Sequence, residues 1–457
     1  MKTRRFFSLF FTLLLLLNLT APARAAQDDT GDWEVEARAA LLVDPDTEEV
    51  LYARNIHERL YPASLTKIMT CLLVLEAIDE GKLSMDTVLT ASELAISLIP
   101  PDGSNVGTKP GEEMTVEDLL YCIMLASANE GCNILAEAVS GSIDAFVDQM
   151  NAKAEALGCE DTQFANTNGL PDESHYTSAW DLYLITKAAR AYPDFMTLAG
   201  AASYEVPETN LSEARKLRTT NNLISGWYTT GYLYRGANGI KTGTTSAAGY
   251  CLVASATRSG RNLLSVVLGA ERVTLEDGTI LTKSFSETIK LFDWGFNNFS
   301  RQLILQADEL VGEVPVTLSQ EQNSVKVHPA QEIERLIPDD MDPAKDIERD
   351  ITWNAESVEA PVQRGQVLGQ ITLSQNGTVY ATVDLLADEE VSASRLLIFQ
   401  RDLLEFLHKP YLWVGIGGVI GLAVLVLILR AVLKSRRRRY RRKGSKPRRP
   451  SGGYRGR

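Results

Sequence analysis

The sequence predicts an α/β sandwich, in which an antiparallel sheet packs against helices, followed by a small all-β domain and a single transmembrane helix. Three observations lead to this prediction. Apolar, strand-like runs stand at both ends of residues 30–298, and helical segments lie between them. Residues 358–386 alternate apolar and polar side chains, as half-buried strands do. Residues 411–429 form an uncharged apolar run long enough to cross a bilayer.

The amino terminus has the three-part layout of a cleavable secretory signal. Basic residues precede an apolar run over residues 6–19, which is followed by the small-residue pattern Ala23-Arg24-Ala25. A transmembrane helix needs roughly 20 apolar residues, so a retained anchor is the weaker interpretation of this shorter run. We therefore predict a signal peptide over residues 1–25 and an exported mature chain.

The first domain, residues 30–298, begins with a predicted hairpin. Residues 39–43 and 50–53 are apolar and flank the turn-forming Asp44-Pro45-Asp46. Residues 65–78 then predict a buried helix, because apolar side chains occur on all sides of it.

The same domain ends with two apolar strands, residues 249–256 and 262–269, and a segment of helical spacing over residues 282–297. Strands at both ends with helices between them imply the α/β sandwich.

Residues 301–390 switch to short alternating runs broken by turns, which predicts a second, all-β domain. Within it, Gln375-Asn376-Gly377 has the composition of a tight hairpin turn. In residues 391–410, leucines and phenylalanines fall largely on one helical face. This spacing fits an amphipathic stalk on the membrane surface, and an ordinary packed helix fits it nearly as well.

The carboxyl terminus predicts a membrane anchor. Residues 411–433 form the transmembrane helix, and residues 434–457 form a basic tail. Because positively charged flanks stay in the cytoplasm, the domains before this helix are expected to face outward. A nucleic-acid-binding patch is the alternative interpretation of such a tail.

The charge of the exported part argues against nucleic-acid binding. Of the 46 Lys and Arg residues, 4 lie in the leader and 14 lie at or after Arg430, which leaves 28 against 59 Asp and Glu. The exported body therefore carries a net charge of about −31. Binding to nucleic acid needs a basic surface, so we predict no such partner.

The cysteines and histidines point to no metal site or cofactor. The five cysteines have no close-paired spacing and lie in apolar stretches, so we interpret them as buried thiols, with one disulfide possible in an exported protein: Cys71, Cys122, Cys132, Cys159 and Cys251. The four histidines are scattered and contain no His-x-x-Glu-His pattern, which argues against a zinc peptidase: His57, His175, His328 and His408.

The first chemical motif is Ser64-Leu65-Thr66-Lys67, at the start of the predicted buried helix. Residues three apart on a helix are neighbours, so the Lys67 ammonium is expected beside the Ser64 hydroxyl. A serine needs a base to act as a nucleophile, and burial lowers the pKa of a lysine enough for it to serve. A Ser-x-x-Lys pattern also arises by chance, so this motif alone is a weak signal.

Two further motifs follow in the same domain. Ser127-Ala128-Asn129 is weak by itself, since Ser374-Gln375-Asn376 has the same pattern and a polar helix start explains it as well. Lys241-Thr242-Gly243 places a cation and a hydroxyl beside a glycine at the expected start of a strand, where a plain turn is the alternative. The order of the three motifs in one exported domain is more specific than any one of them.

This ordered set resembles the penicillin-recognising serine enzymes of the penicillin-binding-protein and β-lactamase fold. More narrowly, it resembles the low-molecular-mass D-alanyl-D-alanine carboxypeptidases. The resemblance covers about residues 30–400. It rests on the three motifs, on the all-β module, and on these further segments: Phe164-Ala165-Asn166 with Gly169-Leu170, Tyr176-Thr177-Ser178-Ala179, and Gly239-Ile240 before the third motif.

The resemblance implies a role for each motif residue. Ser64 would attack the penultimate D-alanine carbonyl of a peptidoglycan stem peptide to form an acyl-enzyme, with Lys67 as the base. β-Lactam antibiotics would acylate the same serine. Ser127 would relay a proton to the leaving D-alanine, and backbone N–H groups of Ser64 and Thr244 would hold the oxyanion. The remaining residues would bind substrate: Asn129 the peptide amide, Lys241 and Thr242 the terminal carboxylate, and Gly243 by its close backbone approach.

Two departures from the family pattern stand out. Many relatives have histidine directly after Lys-Thr-Gly, where this chain has Thr244. Some relatives also place an arginine before the late helix, where this chain has Lys283-Ser284. The first departure affects the expected preference for the leaving group and the pH profile, and the second removes one expected carboxylate contact.

The three motifs leave several other functions as alternatives. A class A β-lactamase needs a Glu-x-x-x-Asn loop to activate water, and none lies between the second and third motifs. A β-lactam sensor needs an effector, and the basic tail is short and contains no recognisable one. A non-catalytic wall-binding protein would not need all three motifs. D,D-endopeptidase cleavage of crosslinks by the same chemistry stays open.

Overall fold

The computed structural model describes residues 34–442, with side chains described as far as residue 437. Residues 1–33 and 443–457, which contain the predicted signal peptide and much of the basic tail, lie outside the described residues. Contacts within the chain define two units. The first comprises the described residues up to 304 with 334–348 and 374–380, and the second comprises 305–333, 349–373 and the described residues from 381.

The strands of the described chain are distributed along its whole length up to residue 387. In chain order they are β1 (Ala39–Asp44), β2 (Glu49–Arg54), β3 (Val88–Thr90), β4 (Glu113–Thr115), β5 (Ser203–Val206), β6 (Arg215–Arg218), β7 (Ala237–Thr245), β8 (Gly249–Arg258), β9 (Arg261–Ala270), β10 (Arg272–Thr274), β11 (Ile280–Thr282), β12 (Phe299–Leu305), β13 (Gly312–Thr317), β14 (Ser324–Pro329), β15 (Ile333–Pro338), β16 (Glu348–Trp353), β17 (Val358–Glu359), β18 (Val367–Gln375) and β19 (Thr378–Ala387).

Most helices lie between β2 and β7. They are α1 (Lys67–Asp79), α2 (Glu93–Ser97), α3 (Val116–Leu125), α4 (Asn129–Ser140), α5 (Ile143–Ala156), α6 (Ala179–Arg190), α7 (Pro193–Gly200), α8 (Lys283–Asn298), α9 (Pro343–Asp346), α10 (Arg395–His408) and α11 (Pro410–Arg442), and a 3₁₀ turn, Ala63–Thr66, precedes α1.

The centre of the first unit is a five-stranded sheet with the order β2-β1-β9-β8-β7, and all its pairings are antiparallel. Successive residues of β1 contribute to two separate cores. Leu41 and Val43 belong to the core with α1, α3 and α4, whereas Ala40 and Leu42 belong to the core with α8. Because both faces of the sheet are covered, β1 is apolar from Ala39 to Val43 rather than alternating.

Helix α1 lies inside the larger core, and ten of its residues are buried. A helix that is mostly apolar all round is expected in such a position, where only the last turn, with Glu76 and Asp79, reaches the surface. Lys67, its first residue, is therefore surrounded by protein.

The elements predicted from sequence in this unit are confirmed, with two differences at their boundaries and one in the burial of a cysteine. The chain from Ala63 to Thr66 forms a 3₁₀ turn rather than α-helix. Strand β7 begins at Ala237, four residues before the third motif, because an irregular register near Gly239 continues the pairing with β8. Cys159 is half-buried, since it follows the end of α5, whereas the other four cysteines are buried, and all five are free thiols.

The second unit contains a six-stranded sheet with the order β16-β18-β19-β14-β13-β17. In β13 and in the second half of β19 buried residues occur at every second position, whereas β18 has adjacent buried residues, so the period-two prediction for residues 358–386 holds only in part. The β18–β19 hairpin turns at Asn376 and Gly377, and both have positive φ, of 49° and 80°. Asparagine and glycine tolerate that conformation well, which is why the sequence signal for this turn is specific.

Two helices end the described chain. Helix α10 buries none of its residues and exposes Leu396, Phe399 and Leu404, which agrees with the predicted amphipathic spacing. In α11, the segment Pro410–Arg437 is long and apolar enough to cross a membrane, and none of its most apolar window is buried. The mixed α/β unit, the β domain and the one apolar terminal helix confirm the predicted fold class.

Candidate active site

The nucleophile candidate lies in the 3₁₀ turn before α1. Lys67 Nζ is 3.0 Å from Ser64 Oγ, so the predicted three-residue spacing does bring the two groups together. The turn is strained, because Ala63 has a φ of 50°. For residues other than glycine, asparagine and aspartate, this left-handed conformation costs roughly 1–2 kcal/mol of free energy.

Lys67 is fully buried and is surrounded by oxygen atoms. Its Nζ donates to Asn129 Oδ1 at 2.7 Å and to the Asn168 carbonyl at 2.6 Å. Burial lowers the pKa of Lys67 to about 8. A lysine with such a pKa has a substantial neutral fraction near neutrality, which general-base chemistry requires.

Ser127 and Lys241 form a second polar pair. Lys241 Nζ lies 3.1 Å from Ser127 Oγ, although 114 residues separate them in sequence. Ser127 has a φ of 61° and precedes α4, whose first residue is Asn129. Burial, together with repulsion from Lys67, lowers the pKa of Lys241 to about 7. Because two nearby positive charges repel each other, we infer that protonation of one lysine favours the neutral form of the other.

Strand β7 passes directly beside the nucleophile turn. A Cβ atom at Gly243 would lie only 2.8 Å from the Pro62 carbonyl and 3.2 Å from the Leu65 nitrogen. The glycine is therefore required for the close approach of strand and turn. Thr242, next to it, is half-buried, and Thr244 is exposed.

The structure thus gathers the predicted residues into two contacting groups. Ser64, Lys67 and Asn129 form one, and Ser127 and Lys241 form the other, while Gly243 packs against the turn that carries Ser64.

Other residues of the site gave no recognisable signal in the sequence. The Thr220 hydroxyl lies 2.5 Å from that of Thr242, and the Asn168 contact with Lys67 is made by a backbone carbonyl. Residue type cannot reveal a backbone contact, so only the fold shows it.

The loop that contains Asn168 packs tightly against the nucleophile turn. Asn166 Oδ1 accepts hydrogen bonds from the backbone N–H groups of Asn168 and Gly169. Gly169 has a φ of 89°, and a Cβ atom there would lie 1.8 Å from the Ala63 carbonyl oxygen. No side chain can occupy that space unless the turn moves.

We therefore expect Gly169→Ala to displace Ala63 and Ser64, to slow acylation by penicillin about 100-fold, and to cost more than about 2 kcal/mol of unfolding free energy. Gly158→Ala is the matched control, because Gly158 also has a positive φ of 80° but nothing lies within 4 Å of the position that a Cβ atom would take there. Thermal melts and acylation rates of both variants check this. Equal effects of the two substitutions would contradict it.

A buried thiol close to the site is not a competing nucleophile. Burial raises the pKa of Cys132 to about 11, so the thiol stays protonated near neutrality. In the part of the chain that the structure describes, no group of three or more His, Cys, Asp or Glu side chains is arranged to hold a metal ion.

The structure also locates the residue that replaces an arginine of some relatives. Lys283, which begins α8, forms an ion pair with Glu36. The described contacts of its side chain do not include any of the three motifs.

An antiparallel sheet with helices on both faces, and a buried Ser-Lys pair beside a second Ser-Lys pair, define the class of penicillin-recognising serine enzymes. Family models agree with this class. Residues 23–272 match the D-alanyl-D-alanine carboxypeptidase family, and residues 299–393 match the C-terminal domain of penicillin-binding protein 5.

Individual relatives are similar over most of the chain. D-alanyl-D-alanine carboxypeptidase DacF of Bacillus subtilis is 34% identical over 87% of this chain and 97% of its own length. D-alanyl-D-alanine carboxypeptidase DacC of Escherichia coli is 31% identical over 82% of this chain and 89% of its own. The crystal structure of penicillin-binding protein 5 from Haemophilus influenzae has 30% identity and a TM-score of 0.60, covering 79% of this chain and 98% of that one.

The chain belongs to the D-alanyl-D-alanine carboxypeptidase family of low-molecular-mass penicillin-binding proteins. It is a serine peptidase that removes a terminal D-alanine from peptidoglycan peptides and binds penicillin. The acyl-enzyme mechanism is general for the family. The predictions of family, enzyme class and β-lactam binding are confirmed.

Proposed function

We propose that Ser64 is the nucleophile of this carboxypeptidase and that Lys67 is its general base. The observation that carries this proposal is the distance of 3.0 Å between Lys67 Nζ and Ser64 Oγ in a place where Lys67 is fully buried. Burial lowers the pKa of the base, and proximity lets it take the hydroxyl proton directly as Ser64 attacks the penultimate carbonyl.

The second pair serves the leaving group. In this proposal Ser127 passes a proton to the departing D-alanine, and Lys241, 3.1 Å from its hydroxyl, supplies the positive field. The substrate carboxylate binds Lys241 and Thr242. A carboxylate at Lys241 favours the charged form of that lysine, and the charge in turn favours neutral Lys67 by repulsion. Substrate binding would therefore help to prepare the base.

The transition state is held by backbone donors. The N–H groups of Ser64 and Thr244 are proposed to bind the oxyanion, and Gly243 lets the strand that carries Thr244 approach the turn that carries Ser64. Loss of one oxyanion donor costs roughly 3–4 kcal/mol of transition-state stabilisation. Asn129, whose Oδ1 already accepts from Lys67, would use its amide N–H to hold the peptide.

In this mechanism the catalytic chemistry lies within residues 30–298, and no metal or cofactor takes part. The β domain is assigned to residues 301–390, of which 334–348 and 374–380 group with the first unit by their contacts. The substrate is the stem peptide, and β-lactams are covalent inhibitors at the same serine. Thr244, in place of the histidine of many relatives, gives the leaving-group side of the site a small neutral hydroxyl.

The soluble ectodomain, incubated with a peptide ending in D-Ala-D-Ala, is expected to release D-alanine. Incubated with penicillin, it is expected to form a penicilloyl adduct that decays slowly. The reason is that the tethered leaving group of penicillin stays in the site and hinders water, whereas free D-alanine departs. Chromatography of D-alanine and intact-protein mass spectrometry measure the two outcomes.

The two readouts separate the competing functions. Rapid penicillin turnover without D-alanine release would make the protein a β-lactamase, and stable adducts without peptide turnover would favour a sensor. A crosslinked dimeric peptide added in parallel detects D,D-endopeptidase activity by its conversion to monomers.

We further propose that residues 411–433 anchor the enzyme in the cell membrane, with residues 434–457 in the cytoplasm and the catalytic domain outside. The support is the exposed apolar surface of α11, followed by Lys and Arg residues. Residues 391–410 would form an amphipathic stalk at the membrane surface. The exposed apolar side chains of α10, among them Leu396 and Phe399, support this position.

Truncation before Lys409 should therefore release an active, soluble enzyme, because the apolar anchor is gone while the catalytic unit is intact. Fractionation and penicillin labelling measure this. Retention of the truncated protein on anionic vesicles would show that α10 binds membranes by itself. On intact cells, added protease should digest the catalytic domain and spare the tail, and the reverse pattern would contradict the orientation.

A further inference from the structure

His175 is buried beside the nucleophile turn, 109 residues away in sequence. Its Nδ1 accepts a hydrogen bond from the Ala165 backbone N–H at 3.1 Å, and its Nε2 lies 2.8 Å from Thr66 Oγ1. A ring nitrogen that accepts an N–H bond carries no proton. The proton is therefore on Nε2, which donates to Thr66. Burial lowers the pKa of His175 to about 4, which agrees with a neutral ring.

The hydrogen bonds continue from Thr66 to the strained residue. Because Thr66 Oγ1 accepts from His175, its own hydroxyl proton is available, and the Ala63 carbonyl lies 2.9 Å away as the acceptor. Ala63 is the residue with a φ of 50° that directly precedes Ser64. A chain of three hydrogen bonds thus runs from the Ala165 N–H through His175 and Thr66 to the Ala63 carbonyl.

The last of these hydrogen bonds, at the Ala63 carbonyl, orients the backbone N–H of the nucleophile Ser64. The Ala63 carbonyl and the Ser64 N–H belong to one peptide group, which is planar, so fixing the direction of the carbonyl fixes the direction of the N–H. That N–H is the proposed oxyanion donor. The direction of this N–H group affects the energy of the transition state more than that of the bound ground state, because negative charge develops on the substrate oxygen only as the carbonyl is attacked.

We propose that His175 is a positioning residue for catalysis, which aims the Ser64 N–H at the oxyanion by way of Thr66 and the Ala63 carbonyl. The inference rests on the proposed function, since it takes Ser64 as the nucleophile. His175 does not touch the substrate in this account. Its effect must therefore depend on the presence of the Thr66 hydroxyl.

The test uses the full-length protein in detergent micelles and measures penicillin acylation over a range of concentrations, which separates the initial dissociation constant from the acylation rate constant. His175→Phe and Thr66→Val should each lower the rate constant about 10- to 100-fold, the loss expected when a transition-state donor is misaimed. The dissociation constant should hardly change. The double variant should be no slower than the slower single variant, because both act on one chain of hydrogen bonds.

Two matched controls separate positioning from general damage. Thr186→Val makes the same change at a buried threonine of α6 whose hydroxyl has no hydrogen-bond partner among the described residues, and should leave the rate constant unchanged. Thr66→Ser keeps the hydroxyl and should restore most of the rate. The Thr66→Ser and Thr66→Val pair also decides the question if His175→Phe fails to fold.

Rate constants within about 2-fold of wild type in folded His175→Phe, or fully additive losses in the double variant, would overturn the inference. A fall in melting temperature with an unchanged rate constant would show that His175 is structural only. The wild-type protein provides the reference for the proposed function. If its Ser64 is not acylated, that proposal fails, whereas normal wild-type acylation with an unaffected His175 variant overturns only the inference.

Discussion

Ser64→Ala should abolish covalent labelling by penicillin while the protein stays folded. The hydroxyl is the only group that forms the ester in the proposed mechanism, and the nearby thiol of Cys132 is protonated because burial raises its pKa to about 11. The half-buried Ser64 side chain is small, so its loss leaves little space unfilled. Fluorescent penicillin and gel electrophoresis measure labelling, and circular dichroism measures folding.

The matched control for this variant is Ser246→Ala. Ser246 is exposed in the turn between β7 and β8, close in sequence to the third motif, and has no assigned role. It should label as the wild type does. Labelling of folded Ser64→Ala at the wild-type rate would place the nucleophile elsewhere.

Lys67→Ala should lower the acylation rate about 10²- to 10⁴-fold, which is the usual contribution of a general base. The substitution also removes the hydrogen-bond donor that Asn129 Oδ1 and the Asn168 carbonyl share. Lys67→Arg is the informative comparison, because a guanidinium keeps the charge and cannot lose its proton in this pH range. If charge alone mattered, the arginine variant would keep its activity, and we expect it to be as slow as the alanine variant.

The pH dependence follows from the same lysine. The neutral amine is the base, and burial lowers the pKa of Lys67 to about 8 and that of Lys241 to about 7. Protonation of Lys67 as the pH falls through about 8 removes the base, so acylation should slow as the pH falls below that value, while the carboxylate of bound penicillin favours the charged form of Lys241. The wild-type rate is measured by stopped flow. A rate that is flat between about pH 6 and pH 9 would contradict the assignment of Lys67 as the base.

Local sequence patterns predicted the elements of the fold well where the pattern reflects burial. Strand β1 is apolar on both faces because both faces of the sheet are covered, and α1 is mostly apolar all round because it lies in the core. The β18–β19 turn was predicted because Asn376 and Gly377 are the residue types that its backbone needs. Strand β7 was placed too late, since its first residues pair with β8 through an irregular register.

The site was predictable only in part. The spacing of Ser64 and Lys67 on a helical turn predicted their contact, and the structure gives it. The contact between Ser127 and Lys241 joins residues 114 apart, and only the resemblance to a known family suggested it.

Two features of the nucleophile turn could not be seen in the sequence at all. The strained φ of Ala63 and the hydrogen bond between His175 and Thr66 depend on how the turn and the loop after residue 164 pack together. No local pattern of residue types encodes that packing.

The location of the penicilloyl group in the wild-type protein tests the central claim most directly. The ectodomain would be acylated with penicillin, digested and analysed by tandem mass spectrometry. We expect one modified peptide, with the added mass on Ser64. An adduct on Ser127 or on any other residue, with Ser64 unmodified, would contradict it.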